Sequence, residues 1–397
     1  MTLLAPAAPS LQARRARLAV AAVFLTNGAL FANVVPRYPQ IKADLGVTNA
    51  VLGTAIAAMP LGALLAGLLA ASAIRRLGSA RVAAPGIVLL AAATFLLPFA
   101  PTWYAFAGAL FLVGALDAIV DVAQNAHGLR VQRLYGRSIV NSFHGVWSIG
   151  AVLGGLMGSA AAGLGLSLTV HLGFSAVLFS AVALAAFRFM LPGGEDAERS
   201  VTPSDTVSPR RAVTGTAVRM LAILGILAAC GALVEDAGSS WGALYLSGDL
   251  HTSAATAGLA FVALQVAMTL GRLTGDRVVD RFGQRTVVRA GGALAALGMG
   301  AALLLPSVPT ALAGFALAGL GVATLVPATM QTADEIPGLA SGTGLTIVSW
   351  LLRGGFLLSP PLVGLIADQT SLRVGLLSVV LAGALTFTLG RVLSNGK

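Results

Sequence analysis

The chain has 397 residues, 57% of them hydrophobic and 10% charged, against about 25% charge in a typical soluble domain. With a mean hydropathy of +0.88, almost every segment is apolar, which excludes an ordinary soluble fold and a single-pass receptor. The formal charge of +10 comes from basic residues that stand singly or in short clusters between apolar runs, a pattern that argues against a nucleic-acid partner.

A membrane crossing takes about 20 apolar residues. Read between breakers, the first half offers spans near 17–38, 49–72, 80–99, 102–128, 138–162 and 168–190. The second half offers spans near 219–247, 253–275, 286–305, 308–332, 340–366 and 372–392. The runs are continuous and lack the alternation of a membrane barrel, so the backbone must satisfy itself within helices. The expected fold class is therefore an all-α polytopic membrane protein with twelve transmembrane helices. Arg14, Arg15 and Arg17 imitate the start of a signal peptide, but similar apolar runs follow throughout, and the first is read as an uncleaved span. Residues 191–218, rich in Pro, Ser, Asp, Glu and Arg, read as a flexible cytoplasmic linker between six-helix bundles at 1–190 and 219–397.

Lys and Arg collect in cytoplasmic loops. With the N-terminus inside, all basic residues fall in inside segments except Arg37, Lys42, Arg373 and the intramembrane Arg353. Both termini are then cytoplasmic, and Tyr38, Trp103, Tyr104 and Tyr245 are expected as interfacial aromatics at the outer ends of spans. The excess of Arg over Lys points to a GC-rich bacterial genome and hence to a bacterial inner membrane. Cys230 is the sole cysteine, so no intrachain disulfide forms, and four dispersed histidines give no metal-ligand spacing. His127, His171 and His251 read as interfacial or loop residues. No cofactor is expected.

An internal repeat supports two bundles in the same orientation. Arg76-Leu77-Gly78 after span two matches Arg281-Phe282-Gly283 after span eight, and Leu96-Leu97-Pro98 matches Leu304-Leu305-Pro306. Like-oriented halves imply a cavity between them.

The stretch Gly271-Arg272-Leu273-Thr274-Gly275-Asp276-Arg277-Val278-Val279-Asp280-Arg281-Phe282-Gly283-Gln284-Arg285 resembles the loop signature of the major facilitator superfamily of secondary transporters. The resemblance implies that Asp276 caps a helix and pairs with neighbouring basic residues to latch a cytoplasmic gate, with Arg272, Arg277, Asp280 and Arg281 as its surroundings. The alternative is a solvated loop whose charges only set topology. The first half departs from the signature, since Ala71 stands at the position of Asp276. Asp121-Val122-Ala123-Gln124-Asn125-Ala126-His127 with Asn141-Ser142-Phe143-His144-Gly145-Val146-Trp147-Ser148 is similar to the bacterial branch related to fucose permeases. Gly150-Ala151-Val152-Leu153-Gly154-Gly155 is similar to the glycine motif of drug:proton antiporters, with Ala151 where that motif has proline; tight helix packing accounts for these glycines equally well. Pro327, Pro360 and Pro361 are expected to bend their spans.

Ionisable groups inside a membrane are costly and are expected to face a cavity. Asp117, Asp121, His144, Glu235, Asp236 and Arg353 are the candidates for proton coupling. Asp117, Asp121 and Asn125 recur every four residues and share a face of span four. Asp121 and His144 lie at similar depths, and either relay protons or tie two helices together. Glu235 and Arg353 lie near mid-bilayer and are read as a cross-cavity ion pair, either coupling or structural. Asn27, Asn33, Asn125, Trp147, Trp241, Gln265 and Trp350 are candidates to line a substrate site or, individually, to glue helices.

These features point to a secondary active transporter that moves a small polar, sugar-like metabolite by alternating access, coupled to protons and acting as a monomer. A proton-driven efflux antiporter is the alternative, and a non-transporting sensor on the same scaffold is the alternative of another class. No Gly-Lys-Ser or Gly-Lys-Thr phosphate loop is present, and Lys42 and Lys397 are the only lysines, which argues against direct ATP drive. Ser142 and His144 stand two residues apart on a helix and face different directions, so no catalytic pair is expected.

Overall fold

A computed structural model describes residues 10–135, 139–193, 215–336, 339 and 343–394. Within the described residues there are twelve helices long and apolar enough to cross a membrane, and no strands. They are α1 (Leu11–Leu45), α2 (Asn49–Leu77), α3 (Ser79–Phe99), α4 (Trp103–Tyr135), α5 (Val140–Gly163) and α6 (Leu168–Phe187), then α7 (Gly215–Gly248), α8 (Ala254–Phe282), α9 (Gln284–Leu304), α10 (Val308–Asp334), α11 (Thr343–Gln369) and α12 (Leu372–Val392). The seventh helix begins at Gly215, inside the expected linker; the linker residues 194–214, including Arg199, Arg210 and Arg211, lie outside the described residues, as do Arg137 and Lys397.

Local chemistry differs between the two ends of the bundle. Every helix that starts at the end away from the linker opens on a Ser or Thr whose hydroxyl accepts the N–H three residues on: Thr48, Thr102, Ser167, Ser253, Ser307 and Ser371. At the linker end, α2–α3 and α8–α9 turn on single glycines, Gly78 (φ 85°, ψ 147°) and Gly283 (φ 81°, ψ 148°). A positive φ excludes most side chains there, and the matching angles give the repeat read in the sequence a backbone identity. The helix α1 passes through a 3-10 turn at Val35–Arg37, which contains Pro36 and is followed by Pro39. The helix α10 is split into Val308–Val322 and Leu325–Asp334, with Pro327, which lacks an N–H, near the start of the second segment. In contrast, α11 runs through Pro360 and Pro361 without interruption.

Packing follows the repeat. In the first half α1 packs on α5 and α6, α2 on α4, and α3 on α4 and α6. In the second half α7 packs on α11 and α12, α8 on α10, and α9 on α10 and α12, each the counterpart six helices later. Two seams join the halves, α2 against α11 and α5 against α8. These two are also counterparts, so the halves are related by an approximate two-fold axis between them.

Two expectations are corrected here. Tyr38 and Tyr245 are fully buried between helices rather than placed in an interfacial belt, while Trp103 and Tyr104 are exposed. The buried pair sits where α1 and α7 are wrapped by both halves, which depth along the helix does not reveal. His127 and His171 are likewise buried ties. His127 Nε2 accepts the N–H of Leu191 at 3.0 Å, which leaves Nδ1 to donate to Ser79 Oγ at 2.8 Å.

Candidate functional site

A cavity of about 260 Å³ lies between the halves, walled by α1, α2, α4 and α5 from one and by α7 and α11 from the other. Its polar lining consists of Asp117, Trp147 and Tyr38 from the first half and Glu235, Asp236, Ser239 and Ser240 from the second; Phe31 and Phe356 add aromatic faces.

In the first half the polar groups form one chain across three helices. Trp147 Nε1 of α5 donates to Asn27 Oδ1 of α1 at 2.7 Å, and Asn27 Nδ2 donates to Asp117 Oδ1 of α4 at 2.7 Å. One amide thus orients both an indole and a carboxylate toward the cavity, its oxygen accepting from the first and its nitrogen donating to the second.

In the second half, Ser240 Oγ donates to Asp236 Oδ1 at 2.8 Å, one turn along α7. Asp236 Oδ2 is buried and makes no hydrogen bond of good geometry among the described residues, with the similarly unpaired Ser359 hydroxyl of α11 close to the carboxylate. Glu235 is paired with Arg272 of α8, Nη2 to Oε2 at 3.2 Å. This replaces the expected Glu235–Arg353 pair. On α11, Gly355 faces Ala229 and Ala232 of α7. Arg353 lies two residues, or about 200° of helix, from Gly355, and points away from α7 into an exposed position.

Asp121 and His144 form no hydrogen bond, although the carboxylate acts electrostatically on the imidazole. Asp121 Oδ1 instead accepts from Gln124 Nε2 at 3.2 Å and Asn125 Nδ2 at 3.1 Å on its own helix. His144 packs edge-on against Phe24, ring centroids 5.4 Å apart. Similar depth brings the carboxylate within electrostatic range of the imidazole, while local partners one turn away take its hydrogen bonds. Asp117, Asp121 and Asn125 do share a face of α4, with Asp117 in the cavity and Asp121 exposed toward the linker end.

The remaining residues proposed from sequence divide by position. Asn33 lies outside the cavity lining: its Nδ2 donates to Ala29 O at 3.0 Å and its Oδ1 accepts from His171 Nε2 at 2.6 Å. The direction follows from Arg37, which can only donate and contacts His171 Nδ1 at 3.5 Å. Arg37 also donates to Leu166 O at 2.6 Å and to Gln40, so this guanidinium, expected in an outer loop, is buried as a fastener of α1 to α6. Trp241 and Gln265 are buried away from the lining, each with a side-chain nitrogen lacking a partner in the protein, and Trp350 is exposed. Asp276, Arg277 and Asp280 are exposed at the linker end without ion-pair partners among the described residues, and Arg281 lies over the ring of Phe282. The latch geometry implied for Asp276 is not formed among the described residues.

The two ends of the cavity differ. Away from the linker, the α2–α11 seam closes to backbone contact, a Cβ on Gly53 of α2 falling 2.3 Å from Pro360 O of α11, and the α5–α8 seam closes by a side chain on a glycine, a Cβ on Gly258 of α8 falling 2.1 Å from Ser159 Oγ of α5. Asp368 of α11 accepts the N–H groups of Asn49 and Ala50 at the start of α2. Nearer the linker, α5 and α8 meet through the Leu273 side chain against Gly145, with His144 and Arg272 exposed. Ser239, Ser240, Phe356 and Asp368 carry no mark of site residues in the sequence, and Tyr38 reads there as an interfacial aromatic. For Asp368 a local signal existed only on the other side of the contact, in the Thr48-Asn49 helix start. Within the glycine motif, Gly150 and Gly154 face the backbone of α1 at Leu25 and Ala29, and Gly155 faces Phe261 of α8, which is a packing role.

Residues 221–394 match the sequence profile of the Major Facilitator Superfamily. The chain is 30% identical over 380 residues to the uncharacterized transporter y4wD of Sinorhizobium fredii, covering 95% of this chain and 97% of that protein. It is 32% identical over 367 residues to the membrane protein MosC of Rhizobium meliloti, covering 92% and 87% of the two chains. Among solved structures, the nucleoside transporter NupG is similar, with a TM-score of 0.72 and 14% identity over 96% of this chain and 98% of that one. FucP in an outward conformation is also similar, with a TM-score of 0.61 and 16% identity over 96% and 99%. At such identities the structural likeness shows the fold.

Proposed function

Since this chain belongs to the major facilitator superfamily of membrane transporters, we propose that it is a proton-coupled secondary transporter that carries a small polar solute by alternating access. The observation that carries the reading is the central cavity. It sits between the halves with Asp117 on one wall and Asp236 on the other, and among the described residues only the end away from the linker is closed by backbone contact between halves. A carboxyl group that meets one side of the membrane at a time can take a proton from one side and release it to the other. The basic linker end is the cytoplasmic end by the positive-inside rule, in a bacterial inner membrane, and this conformation then faces the cytoplasm. Transport requires the α2–α11 and α5–α8 seams to part at the far end while the Asp276 region closes.

The test is flux in proteoliposomes with an imposed pH gradient, across a panel of neutral, cationic and anionic solutes. Solute-dependent proton movement that Asp117→Asn abolishes is the expected result. Proton movement indifferent to every solute, or uphill uptake unaffected by Asp117→Asn, overturns the proposal.

A further inference from the structure

We infer that the solute is an organic cation: a protonated amine on a small apolar body, whose ammonium group pairs with Asp236. This rests on the transport reading above and names the substrate class of that cavity. The cavity lining contains three carboxylates, Asp117, Glu235 and Asp236, and no Lys or Arg. Glu235 already has a counter-charge in Arg272. Asp117 has one neutral donor, the Asn27 amide. Asp236 is 8% exposed; one oxygen takes the Ser240 hydroxyl, and the other makes no hydrogen bond of good geometry, with the likewise unpaired Ser359 hydroxyl of α11 as a neutral donor nearby.

Two carboxylates without a cation, Asp236 buried and Asp117 half-buried, make the cavity strongly unfavourable for an anion and reward a positive charge that brings its own N–H donors. A neutral polyol supplies donors but no charge. The rest of the wall fits the other part of such a molecule. Phe31, Tyr38, Trp147 and Phe356 line the same space from both halves. Aromatic faces attract ammonium groups and bury an apolar body. The cavity volume of about 260 Å³ is close to the lower end of the ~300–1,000 Å³ common for small-molecule pockets, which favours a single-ring or short-chain amine.

The experiment uses the purified full-length protein, with binding followed by isothermal titration calorimetry. Three matched sets of probes share a body and differ in charge: amine, alcohol and carboxylate on phenethyl, cyclohexyl and butyl frames. In at least one set the amine is expected to bind at least tenfold more tightly than its alcohol, with the carboxylate weakest. Asp236→Asn should remove that preference and Asp236→Glu should retain part of it, with gel filtration confirming that both variants fold. The inference is overturned if no amine outbinds its alcohol, or if both variants keep the wild-type order. Proton flux driven by sugars or carboxylates but by no amine would overturn it while leaving the transporter reading intact; flux with no solute of any class sinks the transporter reading itself.

Discussion

Asp368 caps a helix of the opposite half: its Oδ1 accepts the backbone N–H of Asn49 at 2.9 Å, and its Oδ2 accepts that of Ala50 at 2.8 Å. The start of α2 is thus capped twice, by Thr48 within its own half and by Asp368 of α11 across the seam. The first cap survives any movement between halves, and the second exists only while the end away from the linker is shut. A carboxylate at a helix N-terminus is stabilised both by orphan N–H groups and by the helix dipole.

Removing that carboxylate should therefore bias the conformational equilibrium more than it unfolds the protein. An exposed charged cap is worth about 1 kcal/mol, or roughly fivefold in an equilibrium constant. We expect Asp368→Ala to raise maleimide labelling of Ser239→Cys, in a Cys230→Ala background, from the side away from the linker by about fivefold. Asp368→Asn, which keeps one acceptor, should give a smaller rise. Equal labelling of all three proteins would show that the cap does not hold the seam.

The Trp147–Asn27–Asp117 chain makes a different prediction, since its members depend on one another. Asn27→Leu strands the indole N–H and takes a donor from the carboxylate, which costs about 1–3 kcal/mol for buried polar groups. Trp147→Phe removes one bond of the same chain. The double variant should be less destabilised than the sum of the singles by about 0.5–1.5 kcal/mol, because the shared bond is lost once. Thermal unfolding of the four proteins in one detergent measures this; strict additivity would mean that the bridge carries no coupling.

Much of this architecture was legible in the residues, and the limits have a physical pattern. Span number, the repeat and the glycine turns at Gly78 and Gly283 rest on local rules: apolar length, backbone self-satisfaction and positive φ. Asp117, Asn27, Trp147 and Asp236 were legible as costly polar groups in apolar runs, and the structure gathers them at one cavity or its rim. Which polar group meets which was not legible. Depth along a helix places a residue on a ring, and rotation around the helix decides its partner. That is why Glu235 meets Arg272 and not Arg353, and why Asp121 bonds Gln124 and Asn125 and not His144. Tyr38, read as an interfacial anchor, lines the cavity for the same reason.

The buried Arg37–His171–Asn33 network should behave as structure and not as a substrate contact. Its three polar side chains satisfy one another and the backbone at Ala29 and Leu166, outside the cavity lining. We expect His171→Leu to destabilise the protein by about 1–3 kcal/mol, because Arg37 and Asn33 each lose a buried partner. The apparent affinity for a transported solute should stay within twofold of wild type. A large loss of affinity at unchanged melting temperature would place the network in the binding site after all.

The Glu235–Arg272 pair separates electrostatics in the cavity from stability. Both side chains are partly exposed, 21% and 35%, so the pair is worth no more than about 0.5–1 kcal/mol to the fold. Its larger effect is on charge: Arg272→Gln leaves Glu235 as a third carboxylate without a counter-ion beside the cavity. Affinity for a cationic probe should then rise several-fold, and the gain should shrink in high salt because the site is partly open to water. Arg353→Gln, on the far face of α11, should not reproduce the gain. Titration of both variants against one amine at low and high ionic strength decides the matter. An equal response from the two would show that the cavity senses net charge at long range and not the loss of a specific partner.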